Sequence, residues 1–278
     1  MALGFGTSQI NTSRSKIHLC STHTPLDLFA LCRRHGMSAH AFCLMHSASC
    51  CEGQGSRLFG SLPLFLYTVK ESESDTSIIY VDLYTSSTLT FKVNGAQALL
   101  KTNTEWPYAA DVSIIATLPE ASSALEVALR MPSWLPAAVA VTVNGQAYGM
   151  GVPGTYLHIQ PLGGWPKGQH VLKFSLMMRW AAANYTGASQ LPPYMRASFL
   201  YGPLLMSFSG PWDTVSDSLV MPVGLHWDRP EEWLVGAADG NSLHFAVKGT
   251  SGASLISVKP YYEVQAFGER FSNYPCFR

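Results

Sequence analysis

The stretch Val171-Leu172-Lys173-Phe174-Ser175-Leu176 decides the fold class of this chain. Leu172, Phe174 and Leu176 alternate with Lys173 and Ser175, and this period of two is typical of a β-strand with one buried face. A helix would instead place its apolar residues three and four positions apart. The stretch therefore predicts a half-buried strand.

Similar short strands recur from Ser77 to the end of the chain, with turn residues between them. The pairs Asn94-Gly95 and Asn144-Gly145 indicate β-hairpins, because both central residues of a type I′ turn need a positive φ. The predicted strands are Ile78–Tyr84, Thr88–Val93, Val112–Leu118, Leu125–Arg130, Val139–Val143, Tyr156–Ile159, His170–Leu176, Ala197–Phe208, Leu243–Val247 and Ser254–Val258. This pattern predicts a mainly β fold of two consecutive β-sandwich domains, residues 77–180 and 181–278, with the polar stretch Ala181–Pro193 at their seam.

The segment before these strands has a different pattern. Leu58, Leu62, Phe65 and Leu66 are spaced i, i+4, i+7 and i+8, so they share one face of a helix, and Pro63 predicts a kink in it. We expect a short helix that packs on another element. Residues 1–49 show no clear periodicity and are predicted to be weakly structured.

The composition excludes several classes of protein. The chain has 278 residues, of which 47% are hydrophobic and 13% charged, so it can bury a large core. Its 18 basic and 18 acidic residues cancel, and no long-range field draws it to nucleic acid or to an acidic membrane. No apolar run approaches the ~20 residues of a membrane span, and the first residues lack the apolar core of a secretory signal. The compartment stays open.

One run of sequence, together with several later motifs, resembles a known family. The run is Cys50-Cys51-Glu52-Gly53-Gln54-Gly55-Ser56-Arg57-Leu58-Phe59-Gly60-Ser61-Leu62-Pro63, and it resembles glycoside hydrolase family 127, the β-L-arabinofuranosidase-like proteins. The other motifs follow in the family's order: Ile79–Leu89, Thr104–Tyr108, Leu129–Trp134, Val143–Gly145, Pro153–Leu157, Trp165–Gly168 and Tyr201–Leu205. The resemblance covers the chain from about Ser49 to its end.

The resemblance implies a catalytic (α/α)6 barrel followed by two β-sandwiches. Residues 50–76 would then be the end of the barrel, and residues 1–49 stay unassigned. By motif match, Cys50 takes the position of the nucleophile in a retaining mechanism, and Cys50 and Cys51 take the positions of two zinc ligands. A zinc-bound sulfur is deprotonated, and the thiolate is the reactive form of cysteine. The implied substrate is a glycan that contains arabinose.

This sequence departs from the family before Cys50. Residues 1–49 contain no Glu, so the family's acid/base glutamate and its glutamate zinc ligand have no counterpart, and no Glu-x-Cys pair completes the metal site. Cys20, Cys43, His40 and His46 are further potential ligands, but they show no ligand-like spacing. We therefore expect the chain as written to be an inactive fragment of a glycosidase, and whether it is an enzyme stays open.

Two other functions compete with this interpretation. The chain could be a non-catalytic, carbohydrate-contacting accessory module, with Trp212, Trp227 and Trp233 as candidates for an exposed aromatic surface. It could also be a truncated gene product without an independent function. Trp106, Trp134 and Trp165 stand beside proline and strand ends, and we expect them to pack in the core rather than to contact sugar.

Overall fold

A computed structural model describes residues 9–12, 15–20, 57–58, 60–71, 77–184, 195–213, 218–237, 243–264 and 270–277. These residues are mainly β and fall into two compact units, one ending at Leu176 and the other starting at Met177. No helix in the described part of the chain is long and apolar enough to cross a membrane.

The first unit is built from two sheets. The strands are β1 (Gln9–Thr12), β2 (Ser15–Cys20), β3 (Tyr67–Glu71), β4 (Ser77–Val81), β5 (Ser87–Val93), β6 (Ala96–Thr104), β7 (Asp111–Leu118), β8 (Leu125–Arg130), β9 (Val139–Val143), β10 (Gln146–Gly151), β11 (Tyr156–Ile159) and β12 (Gly168–Ser175). One sheet has eight strands in the order β1-β2-β5-β6-β7-β12-β9-β10, and the other has four in the order β11-β8-β4-β3. A 3-10 helix, Leu62–Phe65, precedes β3.

The two sheets share one hydrophobic core, as in a β-sandwich. Alternate residues of each strand point into it, which is why the period of two appears in the sequence. The four-stranded sheet contributes Ile79, Val81, Val127 and Leu129, and the larger sheet contributes Leu89, Leu100, Ile114 and Leu172, all fully buried. The stretch around Leu172 is thus the half-buried strand that its sequence predicts.

A buried tyrosine connects the two sheets by hydrogen bonds. Tyr67 lies on β3, and its hydroxyl lies 2.8 Å from Ser87 Oγ and 2.9 Å from Thr102 Oγ1, on β5 and β6. Burial raises the pKa of the Tyr67 phenol, so the group stays protonated. These bonds satisfy three polar groups that would be costly if buried without a partner.

Both predicted Asn-Gly turns are confirmed. Asn94 and Gly95 have φ values of 51° and 82° and join β5 to β6, while Asn144 and Gly145 have 52° and 79° and join β9 to β10. The side chain of Asn144 also accepts a 2.8 Å hydrogen bond from the Val171 N–H. The second hairpin is therefore attached to β12 at its turn.

The second unit contains a seven-stranded sheet and a two-stranded sheet. The elements are β13 (Trp180–Asn184), β14 (Met195–Tyr201), β15 (Leu204–Ser209), β16 (Trp212–Asp213), β17 (Ser218–Leu219), helix α1 (Pro230–Trp233), β18 (Leu234–Ala237), β19 (His244–Val247), β20 (Ser257–Pro260), β21 (Cys276–Phe277) and the 3-10 helices Gly252–Ser254 and Tyr261–Glu263. In the larger sheet the strand order is β13-β14-β15-β20-β19-β18, and β21 also pairs with β14. The smaller sheet consists of β16 and β17.

Aromatic rings dominate the core of the second unit. Phe199 is fully buried, and its ring centroid lies 5.1 Å from that of Phe208, 5.6 Å from that of Trp233 and 5.8 Å from that of Phe277. These rings come from β14, β15, α1 and β21. Tilted and edge-on pairs at this spacing stabilise a core beyond the area that they bury.

Two local predictions need correction. The single strand predicted over Ala197–Phe208 is wrong, because a turn with a positive φ of 58° at Gly202 divides it into β14 and β15. The predicted short helix is present, since residues 57, 58, 60 and 61 are α-helical and Leu62–Phe65 continue as a 3-10 helix. Its predicted packing is wrong for most of the apolar face, because Leu58, Leu62 and Phe65 are exposed and Leu66 is buried.

Candidate functional site

Polar side chains meet at one end of the strands of the four-stranded sheet in the first unit. Thr68 lies at the start of β3, Asp82 follows β4, Arg130 ends β8 and Tyr156 begins β11. β4 and β8 run parallel to each other, and β3 and β11 run antiparallel to them. The four residues therefore lie at the same end of the sheet, where β4 and β8 finish and β3 and β11 start. We call Thr68, Asp82, Arg130 and Tyr156 the Asp82 cluster.

Hydrogen bonds hold the Asp82 carboxylate on both oxygens. The Thr68 hydroxyl donates to Oδ2 at 2.6 Å, and the Tyr156 hydroxyl donates to Oδ1 at 2.6 Å. Arg130 Nη1 donates to the Asp82 backbone carbonyl at 3.3 Å, and the buried Tyr84 hydroxyl donates to the Arg130 carbonyl at 2.6 Å. The cluster is therefore a fixed network that involves all four strands of the sheet.

The hydrogen bond to Asp82 changes the acidity of Tyr156. It raises the pKa of the phenol from 10.0 to about 12, with smaller contributions from desolvation and from the negative charge of Asp82. Ionisation would break the donated bond and place two negative charges together, so the neutral phenol is favoured. Tyr156 is thus a hydrogen-bond donor at every physiological pH.

Apolar side chains surround a cavity next to the cluster. Leu64, Phe65 and Leu83 line it together with Thr68, Asp82, Arg130 and Tyr156, and its volume is about 290 Å³. Phe65 is 53% exposed and Leu64 is 40% exposed. The cavity is therefore an open depression lined by both polar and apolar side chains.

The outer face of the sheet continues with a second group of polar residues. The ring of Tyr80 lies edge-on to Tyr156 at 5.1 Å and to His158 at 6.1 Å. His158 Nδ1 makes a short contact with the carboxylate of Glu126. Aromatic and polar groups therefore cover this face next to the Asp82 cluster.

Comparison with known proteins identifies the first unit. A family model described as beta-L-arabinofuranosidase, GH127 middle domain, matches residues 78–178. Residues 78–178 are a GH127-like middle domain. Among curated proteins, none gives a significant match.

Solved glycosidases have the fold of the middle domain and of the unit that follows it. A GH127 β-L-arabinofuranosidase from Geobacillus stearothermophilus T6 is 14% identical, with a TM-score of 0.57, and matches 83% of this chain and 38% of its own. A protein described as a glycoside hydrolase is 18% identical, and a GH127 β-arabinofuranosidase is 22% identical; both have a TM-score of 0.58 and match 83% of this chain, and 40% and 39% of their own chains. This chain spans less than half the length of these three proteins.

The Asp82 cluster was not predicted from the sequence, although its residues lie in motifs of the middle domain. Asp82, Arg130 and Tyr156 each lie in a motif that carries the GH127 resemblance: Ile79–Leu89, Leu129–Trp134 and Pro153–Leu157. The motifs are far apart in sequence and meet only in the folded sheet. That all three motifs belong to the same family pattern was the only indication in the sequence that their residues matter, and it did not indicate which residues contact one another.

Cys50 and Cys51 are the predicted positions of the nucleophile and of two zinc ligands. Cys50 and Cys51 lie outside the residues that the structure describes. Within the described residues, no group of three or more His, Cys, Asp or Glu side chains could hold a metal ion.

The tryptophans follow the packing prediction for the middle domain and contradict one expectation for the second unit. Trp165 is 1% exposed and donates from Nε1 to the Leu125 carbonyl at 3.0 Å. Trp106 and Trp134 stack on each other at 6.0 Å against the core. In the second unit, Trp233 is only 3% exposed, so its assignment to an exposed surface is wrong.

Trp212 and Trp227 are half-buried and pack against the core of the second unit. The guanidinium of Arg270 lies 5.5 Å from the ring centroid of Trp212, a cation–π distance. One face of Trp212 is therefore already covered. The aromatic surface predicted at Trp212 and Trp227 stays a prediction.

The raised pKa of Tyr156 can be measured directly. We expect the phenol to ionise near pH 12 in a titration of phenolate absorbance. Asp82→Asn should move this transition toward pH 10, because it removes the carboxylate that accepts the Tyr156 hydrogen bond and, with it, the negative charge. The folded-state pKa lies above the unfolded value, so the stabilisation is complete below about pH 10 and is lost between about pH 10 and 12. Tyr156→Phe identifies the transition by removing it. A Tyr156 transition that Asp82→Asn leaves in place would contradict the assignment.

Proposed function

We propose that this chain supplies the β-sandwich part of a retaining glycoside hydrolase that removes β-L-arabinofuranose from glycans. The observation that carries the proposal is the match of residues 78–178 to the GH127 middle domain. The fold shared with solved glycosidases supports it. At 14–22% identity those proteins support the fold only, and the sugar comes from the description of the family model.

In this proposal the described residues have a supporting role. Glycoside hydrolysis uses an acid to protonate the leaving oxygen and a second group to attack or to activate water. The Asp82 carboxylate already accepts hydrogen bonds on both oxygens, and Tyr156 holds its proton. This network is suited to holding the ends of the strands together rather than to proton transfer.

We assign the chemistry to Cys50 and Cys51. Cys50 is the nucleophile position, Cys51 is its companion, and zinc is the metal that their thiolates would bind. No Glu precedes Cys50 in this sequence, so the two glutamates that the family uses for the acid/base and metal functions have no counterpart there. Arabinose-containing glycan is the proposed substrate of the complete enzyme.

The transcript upstream of the Ser49-Cys50 junction tests the assignment. We expect it to encode, in frame, a helical segment with a Glu-x-Cys pair and a further Glu. A transcript that begins at Met1 would contradict the hydrolase function and leave the accessory module as the alternative. That alternative predicts glycan affinity that is insensitive to Cys50→Ala and sensitive to substitution of Trp212 or Trp227.

We also expect the sequence as given to release no sugar by itself. Incubation of the full chain with a chromogenic β-L-arabinofuranoside should give the same rate as the Cys50→Ala variant, since the acid/base group is missing. Metal analysis should find much less than one zinc per chain, because two ligands bind the ion weakly. Sugar release that disappears in Cys50→Ala would show that the chain already contains a complete site.

A further inference from the structure

The outer face of the eight-stranded sheet carries an excess of positive charge. In β5, β6, β7 and β12 buried residues alternate with solvent-facing ones, so the burial pattern identifies the outward positions. Lys92, Lys101 and Lys173 are outward and exposed. The only outward acidic residue of these four strands is Asp111, and its carboxylate accepts a short hydrogen bond from Ser175. The chain has no net charge, but this face is positive.

The strand register places the three lysines along one diagonal of the sheet. Lys101 of β6 stands opposite Ile115 of β7. Ile115 stands opposite Val171 of β12, two residues before Lys173. Lys92 lies on β5, which pairs with β6 on its other side. Strands lie about 4.8 Å apart and two residues span about 6.8 Å, so neighbouring lysines are about 12–14 Å apart between Cα atoms. We call Lys92, Lys101 and Lys173 the lysine track.

No carboxylate neutralises the lysine track within the described part of the chain. None of its three residues forms an ion pair with an Asp or Glu side chain there. Unpaired charges of one sign on one face attract a polyanion, and the attraction weakens as the salt concentration rises. The track therefore fits a ligand that carries several negative charges along its length.

The residues around the lysine track suit a sugar chain. Outward hydroxyl and amide side chains lie beside it, namely Thr90, Gln97, Asn103, Thr117 and Gln169. These groups donate or accept hydrogen bonds, as sugar hydroxyls do. Leu99 is 37% exposed, and Ile115 and Val171 are half-buried near it, so the C–H groups of a sugar ring find apolar contacts on the same face.

Other partners fit this face less well. The bases of single-stranded nucleic acid stack on aromatic rings, and the outward positions of β5, β6, β7 and β12 include no aromatic residue. Anionic membranes are bound by clusters of about four to eight basic residues, more than the track contains. Protein interfaces are depleted of lysine and enriched in aromatic residues and arginine. A charged sugar chain is the polyanion that remains.

We propose that the outer face of the eight-stranded sheet binds an acidic polysaccharide whose carboxylates lie on the lysine track. A chain of uronic acids carries one carboxylate on each sugar, so it can bring negative charge to each lysine. The site is on the other sheet from the Asp82 cluster and shares no residue with it. The inference rests on the proposed function only for the choice of a sugar chain. Its test measures binding and not sugar release, so the two can fail separately.

The experiment titrates the full chain with polygalacturonate in isothermal titration calorimetry. We expect binding that weakens at least about fivefold when NaCl rises from about 50 to about 200 mM, because the contacts are between charges. Lys101→Glu and Lys173→Glu should each weaken it at least about fivefold, since each replaces an attraction by a repulsion. Lys70→Glu is the matched control, because it makes the same change of charge at an exposed lysine of β3, in the other sheet.

The outcomes decide the proposal in the following way. Binding of polygalacturonate that both track variants weaken, and that Lys70→Glu leaves unchanged, supports it. The absence of binding overturns it, as does equal binding by Lys70→Glu and Lys101→Glu. Equal binding of neutral linear arabinan would overturn it as well, because charge would then not select the ligand. Tighter binding of an oligodeoxythymidine or of phosphatidylserine vesicles would assign the face to that polyanion instead. Circular dichroism of each variant checks that it folds.

Discussion

Phe199→Ala should lower the free energy of unfolding by about 3–5 kcal/mol, the range for removal of a large buried side chain. Phe199 is fully buried, and its ring contacts Phe208, Trp233 and Phe277. Truncation leaves a cavity among rings that come from separate elements and cannot all move inward. Urea unfolding followed by circular dichroism measures the effect as a lower midpoint.

Two variants calibrate this result. Phe199→Leu keeps most of the volume and should cost less than about 1.5 kcal/mol. Phe245→Ala removes the same ring from a half-buried position beside Trp180 and Tyr201, so it should cost less than Phe199→Ala. If Phe245→Ala destabilises the chain as much as Phe199→Ala, the core of the second unit is not centred on Phe199.

Gly164→Ala should be much more destabilising than the same change at the neighbouring glycine. Gly163 and Gly164 both have a φ of 84°, which costs an L-residue about 1–2 kcal/mol. A Cβ at Gly163 would have nothing within 4 Å. A Cβ at Gly164 would lie 2.6 Å from the Ser122 carbonyl oxygen and 2.7 Å from the Ser123 Cα.

The difference between the two variants isolates the steric effect. Ser122 and Trp165 exchange backbone hydrogen bonds of 2.7 and 2.8 Å, so relief of the clash at Gly164 would have to disturb this pair. We expect Gly164→Ala to cost at least about 2 kcal/mol more than Gly163→Ala, in the range of overpacked sites. Urea midpoints of the two proteins provide the comparison. Equal midpoints would mean that the backbone at Ser122 yields easily.

Three strands were predicted to the residue because each is a short apolar run between turn residues. Leu125–Arg130, Val139–Val143 and Tyr156–Ile159 have the same bounds in the structure. In contrast, β6 was missed because its inward positions include Thr102, a polar residue that sequence does not assign to a core. Thr102 is nevertheless fully buried, since it pairs with the Tyr67 hydroxyl.

The Asp82 cluster shows why the candidate site could not be predicted. Asp82 and Tyr156 are 74 positions apart, and Asp82 and Arg130 are 48 apart. They meet because β4 pairs in parallel with β8, while β3 and β11 flank them. Alternation in a sequence indicates which face of a strand is buried, but it carries no information on which strand lies beside it.

The amino-acid residues were sufficient to predict the mainly β character, the two Asn-Gly hairpins and the relationship of the middle domain to GH127. These depend on local backbone preferences and on short motifs. Tertiary structure alone decided that Thr68, Asp82, Arg130 and Tyr156 form one network, that Trp233 is buried and that Phe65 is exposed. The physical reason is that burial and hydrogen-bond partners depend on the order of strands in a sheet, which brings together residues that are distant in the chain.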